Sequence, residues 1–442
     1  MRISLRPDRL SIAVAGVALL TACSTSPSSE PTASTMATAP APTPSAAPAA
    51  GGLATAPVAV PQQLSDAPFD EAREVRIPRG WSLAVWARVP EARLARWTPD
   101  GALLVSVPDS GRIVKLQPGG EVPGQSTLLE GLDQPHGMAF AGSTLYVAES
   151  DQIDAYDYVD GAAVNRRTVA AGLPDAKSPD LRGAYAHALK SVVVGPDGAV
   201  YFSIGSTGNI SAQDRTATPP RATIMRVPPG GGPAEPFATG VRNGTGLAVA
   251  PDGSVWTAVN GRDNVLDPAT GELDPAYVAD HPPEQLARLT PGRELGWPYC
   301  NIDRPAGAGP ADLSFIRDVQ TNADGSQLDC AALPPVEQSF GAHSAPLGLN
   351  FVDGQLPAPF AQGALVGIHG SWNARPPRAP EVSFYPWTGD GLGDQQTLVG
   401  GFQVQDGTRW GRPVDAVVGP DGAVYITDDD AGAVYRLAAP PP

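Results

Sequence analysis

The sequence predicts an all-β protein whose folded part is a six-bladed β-propeller. Four segments begin with the same Pro-Asp-Gly turn, at residues 99, 196, 251 and 420, and each continues into a short apolar run. Proline sets φ, aspartate bonds to the backbone and glycine accepts positive φ, so each triplet is a turn between two strands. Degenerate copies near residues 142 and 361 bring the units to six. Such repeats, without helical periodicity, are typical of propellers.

The ring of blades has to close, and the segment before residue 99 is the candidate for closing it. We expect "VRIPRGWSLAVWARV", residues 75–89, to pair with the C-terminal unit. The interval between the starts at 251 and 361 is the longest, so we expect an insertion there that carries "GWPYC". Stacked β-sandwiches are the alternative fold, but they would not explain one turn recurring in phase.

The N-terminus has the features of an export signal. Residues 1–22 carry three arginines and then the apolar run "SIAVAGVALLTA", which is too short to span a bilayer. The ending "LTAC" resembles a bacterial lipobox, so we predict a lipoprotein signal peptide over 1–22 and lipidation of Cys23. An ordinary signal peptide followed by an incidental cysteine is the alternative. The prediction implies export and a lipid anchor on a bacterial membrane, facing the periplasm or the cell exterior.

Composition divides the remainder of the chain. Residues 23–66 are rich in Ala, Pro, Ser and Thr, which predicts a flexible linker, and 67–442 is the predicted propeller domain. Cys300 and Cys330 are expected to form a structural disulfide, as an exported chain permits. The net charge is −16 with no Lys/Arg cluster, which argues against a nucleic-acid partner and is compatible with a cationic electron-transfer partner.

Cationic and imidazole side chains recur at the edges of the predicted blades, where propeller loops converge on the central channel. A group of this kind in an acidic protein suits a small polyanionic ligand, because a guanidinium binds carboxylates bidentately. The alternative is that these arginines pair with loop acids such as Asp428–Asp430. The candidates are His136, His187, His343, His369, Lys190, Arg93, Arg242, Arg409 and Arg412.

One loop is a candidate cation site. "VNGRDNVLDPATGELDP", from Val259, offers the carbonyl and carboxylate oxygens that calcium prefers, although it lacks EF-hand spacing. A plain turn-rich loop is the alternative. The sequence has no His/Cys cluster with zinc spacing, no GxSxG elbow and no phosphate-binding glycine loop.

Taken in order, the motifs resemble a known family, the soluble quinoprotein glucose/sorbosone dehydrogenases. The similarity is strongest to the L-sorbosone dehydrogenase-like and pyranose dehydrogenase branch. This resemblance implies a six-bladed propeller that uses pyrroloquinoline quinone (PQQ) and calcium. The motifs that carry it are "DQPHGMAF" (133–140), "HALKSVVVGPDGAVYFSIGSTGN" (187–209), "GVRNGTGLAVAPDGSVWTAVNGRDN" (240–264), "GWPYC" (296–300), "HSAPLGLNF" (343–351), "HGSWN" (369–373) and "GTRWGRPVDAVVGPDGAVYITDD" (407–429).

The resemblance also implies roles for individual residues. His187 matches the catalytic histidine that takes the substrate hydroxyl proton, and Arg242 matches the arginine that stabilises the developing oxyanion. Gly261 and Arg262 fall where backbone carbonyls hold calcium, and Asp263 belongs to the same loop. The residues expected to contact the cofactor are Gln134, His136, Lys190, Asn243, His343, His369, Arg409, Arg412 and Arg93.

The resemblance therefore predicts an oxidoreductase that depends on PQQ and calcium. Its substrate would be an aldose, a sorbosone-like sugar aldehyde or a pyranose, with electrons passing to a periplasmic cytochrome or quinone. Two alternatives remain: a non-catalytic, lipid-anchored binding or scaffold propeller, and a propeller lactonase or hydrolase. The last would need carboxylate and Asn ligands directed into the channel, whereas this channel is expected to be rich in His and Arg.

Overall fold

The computed structural model describes residues 52–303, 313–389 and 391–441. The predicted signal peptide, Cys23 and the predicted linker up to residue 51 lie outside this range. In the described part of the chain, no helix is long and apolar enough to cross a membrane.

Six sheets, each of which contains one blade of four antiparallel strands, confirm the predicted propeller. Blades 1 to 6 are numbered along the chain, and the strands of each blade are given from the channel outwards. Blade 1 comprises Ala95–Trp97, Leu103–Val107, Arg112–Gln117 and Gly124–Leu129; blade 2 Met138–Ala141, Thr144–Ala148, Ile153–Val159 and Ala162–Ala170; blade 3 Val192–Val194, Val200–Ile204, Thr223–Val227 and Glu235–Thr239. Blade 4 comprises Gly246–Val249, Val255–Val259, Glu284–Leu289 and Gln338–Phe340; blade 5 Pro346–Asp353, Gln362–Ile368, Glu381–Pro386 and Gln396–Val399; blade 6 Pro413–Val418, Val424–Asp428, Ala433–Ala438 and Ser82–Arg88.

The N-terminal segment closes the ring, as predicted. Strand Ser82–Arg88 pairs antiparallel with Ala433–Ala438, so the fourth strand of blade 6 comes from the beginning of the domain. The linker boundary at residue 66 is wrong, because Leu53–Ala59 is a strand. It pairs antiparallel with Glu74–Pro78 and parallel with Ser82–Arg88. The composition of this segment suggested a linker because it contains few large apolar residues. It nevertheless forms a strand, because the edge of blade 6 provides backbone hydrogen-bond partners.

The Pro-Asp-Gly turns mark one end of the channel, and the candidate site residues lie at the other end. They join the first and second strands in blades 1, 3, 4 and 6. All of these turns therefore lie at one end of the channel. The loops that lead into first strands and out of second strands lie at the opposite end, where side chains from distant parts of the sequence meet.

The core lies between blades. In blades 1, 3, 4 and 6 the second strand is buried along its whole length, because both of its faces pack against apolar side chains. Burying apolar area at about 25 cal/mol per Å² is the main stabilising term for such a ring.

The insertion belongs to blade 4. It includes the helix Pro275–Asp280, strand Arg293–Glu294 and a two-stranded sheet of Cys300–Asp303 and Ser314–Arg317. Cys300 and Cys330 are disulfide-bonded, as predicted, and the bond ties that sheet to the end of the excursion. Short 3₁₀ turns occur at Gln62–Leu64, Pro108–Ser110, Gln213–Thr216 and Cys330–Ala332.

Candidate active site

The predicted site residues gather at the channel end opposite the Pro-Asp-Gly turns. Of the four blade-edge histidines, three precede the first strands of blades 2, 3 and 5, and His369 follows the second strand of blade 5. Arg242 precedes the first strand of blade 4 in the same way. The shared position relative to the strands is what brings them together.

His187 is held in one orientation by the loop that leaves the second strand of blade 3. Its Nδ1 lies 3.0 Å from the carbonyl oxygen of Ser206 and 2.9 Å from the Ser206 hydroxyl. A carbonyl only accepts hydrogen bonds, so Nδ1 carries the proton, and Nε2 is left as the basic nitrogen. Burial, and then the positive charge of Arg242, lower the pKa of His187 to about 3. The imidazole is therefore neutral at physiological pH.

A glycine allows His187 to approach blade 4. A Cβ on Gly205 would lie 2.6 Å from the Cβ of His187 and 3.2 Å from the side-chain oxygen of Asn243. The Ser206 amide also donates to the carbonyl of Arg242 at 2.7 Å. The His187 loop and the Arg242–Asn243 pair thus pack directly against each other.

Arg242 is buried in a polar network that spans blades 3 and 4. Its guanidinium donates to the carbonyl of Asn260 at 3.2 Å and to Oδ1 of Asn209 at 3.2 Å, and it pairs with Asp263 at 3.5 Å. Its Nε is buried and has no hydrogen-bond partner among the described residues. A buried donor without a partner is costly, so this side chain suits an additional acceptor in the site.

Asp263 links Arg242 to His343. Its Oδ1 lies 3.3 Å from Nδ1 of His343, and the His343 Nε2 contacts the carbonyl of Val278 at 2.5 Å. Burial opposes protonation of His343, but the hydrogen bonds to Asp263 and Val278 outweigh it and raise its pKa. Both ring nitrogens of His343 therefore contact groups in the wall of the site.

Glu284 is a site residue that sequence reasoning missed. It is 4% exposed, and its carboxylate accepts the amides of Gly261 at 3.0 Å and Ala345 at 2.7 Å. Burial raises its pKa to about 7. The carboxyl group thereby fixes the candidate cation loop to the His343 turn. No spacing in "PPEQLARL" indicates this, because the partners are distant backbone amides.

The candidate cation loop has two carbonyl oxygens available. Among the described residues, none donates a hydrogen bond to the carbonyl oxygen of Gly261 or Arg262. The Asn260 and Asp263 carbonyls, by contrast, accept from Arg242 and Asn209. The Arg262 side chain points into the insertion, where it pairs with Asp318 and donates to Gln320 at 2.6 Å. Only the backbone of Arg262 is thus available to a cation.

A second cluster forms on the blade 5 and 6 side of the channel. Asp429 bridges His369, at 2.7 Å, and Arg93, at 2.6 Å. The pairing of arginines with the 428–430 acids, considered above as an alternative, is therefore realised for Arg93. Burial opposes ionisation of Asp429, but its hydrogen bond to His369 and the charges of His369 and Arg93 lower its pKa to about 2.

Arg412 and Arg409 bind backbone carbonyls instead of carboxylates. Arg412 Nε donates to the His369 carbonyl at 2.9 Å, and Arg409 donates to the carbonyls of Ser371 and Arg378. Each positive charge therefore lacks a direct carboxylate partner among the described residues, which suits an anionic ligand.

Two predicted cofactor contacts, Lys190 and His136, are buried in the wall of the channel. Lys190 is completely buried, and its ammonium donates to the carbonyls of Ser150, Pro174 and Ala188. All three N–H groups are used, so Lys190 has a structural role in this structure. His136 is also completely buried. Its Nδ1 lies 3.3 Å from the Lys190 carbonyl, and its Nε2 has no hydrogen-bond partner in the described part of the chain. Gln134 adopts a φ of 49° in the preceding turn.

A cavity of about 380 Å³ opens beside the second cluster. Leu189, two residues after His187 in the sequence, contributes to its wall, whereas His187 is not among the lining residues. Apart from Pro108, the remaining lining is polar and includes Arg93, His369, Arg412, Asp429 and Asp430. Its size lies at the lower end of the range for small-molecule pockets, about 300–1,000 Å³.

Comparisons with solved structures agree with this fold. The holo form of the pyranose dehydrogenase PQQ domain from Coprinopsis cinerea superposes with a TM-score of 0.68 at 19% identity, over 86% of this chain and 99% of that one. The PQQ-bound aldose sugar dehydrogenase from Streptomyces coelicolor gives a TM-score of 0.52 at 16% identity, over 82% and 100%. At these identities the likeness concerns the fold alone.

Curated relatives are matched over part of their length. The pyrroloquinoline quinone-dependent pyranose dehydrogenase of C. cinerea is 24% identical over 334 residues, which is 64% of this chain and 43% of that protein. An uncharacterized protein of Borreliella burgdorferi is 26% identical over 236 residues, or 52% and 56%. The chain thus spans about half the length of the curated relatives it matches.

A family profile covers nearly all of the propeller. The profile of the TrAA12-like proteins matches residues 75–439, from strand Glu74–Pro78 to the end of the third strand of blade 6. This match confirms the resemblance drawn from the motifs, on the pyranose dehydrogenase side of that branch. The chain belongs to the TrAA12-like family.

Proposed function

We propose that this protein is a PQQ-dependent oxidoreductase that oxidises a sugar, with His187 as the general base. The substrate class is an aldose, a sorbosone-like sugar aldehyde or a pyranose. The observation that carries the proposal is the His187–Ser206 arrangement beside Arg242: a neutral imidazole with its basic nitrogen free, next to a buried guanidinium with an unpartnered donor. The names of the relatives, which include PQQ-dependent sugar dehydrogenases, support the same chemistry.

The residues present fit the cofactor. PQQ carries three carboxylates and a quinone, and the site offers the guanidinium groups of Arg412, Arg409 and Arg242. Of these three, only Arg242 has a close carboxylate among the described residues, that of Asp263. Arginine suits such a ligand because its planar fork matches carboxylates. The Asn243 side chain, beside Gly205, adds an amide. When bound, the quinone supplies the two-electron acceptor for the hydride that leaves the sugar carbon.

The protein's own share of the chemistry is proton transfer and positioning. His187 Nε2 accepts the hydroxyl proton while the carbon–hydrogen bond breaks, so that the alcohol carbon becomes a carbonyl. The Ser206 contact keeps the proton on Nδ1, and so preserves the basic tautomer through the cycle. Arg242 stabilises negative charge that develops nearby, in a buried environment where such an interaction is strong.

We propose calcium as the second cofactor, held by the carbonyl oxygens of Gly261 and Arg262. Both oxygens lack a donor among the described residues, and neutral oxygens are ligands that calcium accepts. Glu284 fixes this loop through the Gly261 amide. A solved structure of a Trichoderma reesei family AA12 enzyme is described as a calcium structure, which agrees with the proposal.

The test is reconstitution of the purified chain with PQQ, with calcium or with EDTA, followed by dye reduction with a panel of aldoses, pyranoses and sorbosone. We expect sugar-dependent dye reduction that EDTA abolishes and calcium restores. His187→Ala should lower kcat by about 10²- to 10⁴-fold, the usual contribution of a general base. His281→Ala is the matched control, because His281 stacks on Tyr277 in the insertion and should retain activity.

Different results would separate the alternatives. Lack of PQQ binding together with lack of dye reduction would leave the scaffold reading, and hydrolysis of lactones without PQQ would favour a hydrolase. Full activity in His187→Ala would overturn the assignment of the base while leaving the fold intact.

We also propose that the chain is exported and anchored to a bacterial membrane through a lipid on Cys23, and that a cationic periplasmic carrier accepts its electrons. The "LTAC" motif and the net charge of −16 support these proposals. Labelled palmitate should enter the wild-type chain and be absent from Cys23→Ala; equal labelling of both would refute the anchor.

A further inference from the structure

We propose that the Pro-Asp-Gly end of the channel binds a short-chain hydroxycarboxylate, whose carboxylate pairs with Arg96 and whose hydroxyl donates to Asn350. The site is the axial cavity, the space between the first strands of blades 1 to 5 beside the Pro-Asp-Gly turns. It lies at the end of the channel opposite His187 and does not depend on the proposed function.

The axial cavity has a volume of about 240 Å³. Val194 and Val249, each two residues before the proline of a Pro-Asp-Gly turn, place it at that end of the channel. Seven of its nine lining residues are Ala, Val or Phe, and the two polar ones are Arg96 and Asn350. Apolar walls with a few polar groups are typical of small-molecule sites, and this volume lies below the usual range of about 300–1,000 Å³. The cavity therefore suits a molecule of a few heavy atoms.

Arg96 brings a positive charge into this cavity without a close carboxylate. The side chain is half-buried, and its Nε donates to the Met138 carbonyl at 3.2 Å, which holds it across blades 1 and 2. Its two terminal amino groups have no acceptor among the described residues, and none of the described carboxylates forms an ion pair with it. Because a guanidinium keeps its charge in proteins, these amino groups suit the two oxygens of a carboxylate.

Asp415 places Arg96 and Asn350 beside each other. It is 2% exposed, and its Oδ2 accepts the amide of Ala95, the residue before Arg96, at 3.0 Å. Its Oδ1 accepts the Ala416 amide at 2.9 Å and the Asn350 side chain at 2.6 Å. Burial lowers the pKa of Arg96, and the charge of Asp415 opposes this effect from a distance. The Asp415 carboxylate thus joins the first strands of blades 1, 5 and 6.

Asn350 presents a free acceptor to the axial cavity. It is 8% exposed, and its Nδ2 donates to Asp415 and to the Ala416 carbonyl, the latter at 3.1 Å. A carbonyl only accepts hydrogen bonds, so the orientation of this amide group is fixed. No donor reaches its Oδ1 from residues 52–303, 313–389 or 391–441. Since Asn350 lines the cavity, a ligand hydroxyl can donate to that oxygen.

The class of ligand follows from these three kinds of surface. A carboxylate matches the Arg96 guanidinium, a hydroxyl matches the Asn350 oxygen, and a short alkyl part matches the walls that include Phe140 and Phe351. An inorganic anion would use Arg96 alone and leave the other two surfaces without a partner. A sugar acid carries a hydroxyl on nearly every carbon, and burying those groups against apolar walls would be costly.

Calorimetric titration of the full chain with L-lactate, propanoate and lactamide tests the proposal. Propanoate lacks the hydroxyl of lactate, and lactamide lacks its negative charge. The proteins are the wild type, Arg96→Gln and the controls Arg226→Gln and Arg412→Gln, each with and without PQQ. Arg226 pairs at 3.2 Å with Asp197 of a Pro-Asp-Gly turn, at the same end of the ring, whereas Arg412 lines the cavity at the other end.

We expect the wild type to bind lactamide at least about 10-fold and propanoate at least about 3-fold more weakly than L-lactate, the ranges of a charged and a neutral hydrogen bond. Arg96→Gln should weaken L-lactate binding at least about 10-fold. Both controls and the addition of PQQ should leave the affinity unchanged. Equal affinities for L-lactate and either analogue, equal affinities of the wild type and Arg96→Gln, a loss in Arg412→Gln or with PQQ, or absence of binding would each overturn the site.

A second measurement covers the case that Arg96→Gln does not fold, since it also removes the bond to the Met138 carbonyl. Wild-type crystals soaked in L-lactate should show the carboxylate on the Arg96 guanidinium and the hydroxyl within hydrogen-bond distance of Asn350 Oδ1. Water alone in the axial cavity, or lactate only beside Arg412, would refute the proposal. Failure of sugar oxidation by the chain would leave both measurements unaffected, because neither requires turnover.

Discussion

Glu284 gives a sharp prediction about how stability depends on pH. Its buried carboxyl group joins Gly261 to Ala345 and has a pKa raised from 4.5 to about 7. In an unfolded chain the group regains its ordinary pKa. At pH values between 4.5 and about 7, Glu284 is protonated in the folded state and ionised in the unfolded state. The contribution of Glu284 to stability is therefore complete below pH 4.5 and declines as the pH rises towards 7.

The size of this contribution follows from the shift. Each unit of pKa corresponds to about 1.36 kcal/mol, so a change from 4.5 to about 7 corresponds to about 3 kcal/mol. Glu284→Gln removes the titrating group, whatever the substitution costs at any single pH. We therefore expect the difference in unfolding free energy, wild type minus Glu284→Gln, to fall by about 3 kcal/mol between pH 4.5 and 8.

The assay is urea denaturation of both proteins at intervals of half a pH unit, in EDTA so that bound cations do not alter the titration. Glu130→Gln is the control, because Glu130 is exposed on blade 1 and its variant should keep the wild-type pH profile. Parallel curves for the wild type and Glu284→Gln across this range would refute the claim that burial raises the pKa of Glu284 in the folded state.

Three other outcomes follow from individual contacts. Lys190→Met should lower the unfolding free energy by about 2–4 kcal/mol in denaturant titrations, because it leaves three buried carbonyls without a donor, whereas a loss under 1 kcal/mol would argue against the buried position. The double variant Cys300→Ser/Cys330→Ser should lose about 3–4 kcal/mol in the same assay, since the bond closes a separation of 30 residues; unchanged stability would contradict this. Ser206→Ala should lower kcat only about 2- to 10-fold at equal PQQ content, because the Ser206 carbonyl still accepts from His187, and a loss as large as that of His187→Ala would contradict it.

The fold was predictable because its signal is local and repeated. A Pro-Asp-Gly turn follows the first strand in four blades, and the degenerate copies near residues 142 and 361 bring the predicted number of blades to six. The beginning of the domain was not predictable in the same way. Leu53–Ala59 is a strand because it finds partners in Glu74–Pro78 and Ser82–Arg88, and a backbone interaction of this kind leaves little trace in composition.

The convergence of the candidate residues was predictable from the fold, and their individual contacts were less so. Strand ends converge in a propeller, and this alone brings His187, Arg242 and His369 to one end of the channel. Which partner each side chain takes depends on distances between loops, which a sequence does not contain. Lys190 stands three residues from His187, yet its side chain satisfies carbonyls in the wall. Glu284 lies in no motif, and Asn209 ends the 187–209 motif without a role of its own being predicted, although both hold the candidate cation loop in place.

The contacts of Asn209 and Asp263 show how the candidate site depends on the packing of neighbouring blades. The amide group of Asn209, from blade 3, donates to the Asp263 carbonyl at 2.7 Å and accepts from the Asp263 amide at 2.9 Å. The Asp263 carboxylate in turn contacts Arg242, before the first strand of blade 4, and His343, before that of blade 5. Three blades are therefore joined by two side chains, and the distance between His187 and Arg242 depends on how those blades pack. Apolar side chains buried between the blades hold the blades together. A substitution that weakens this packing should therefore disturb the candidate site even when it lies far from His187.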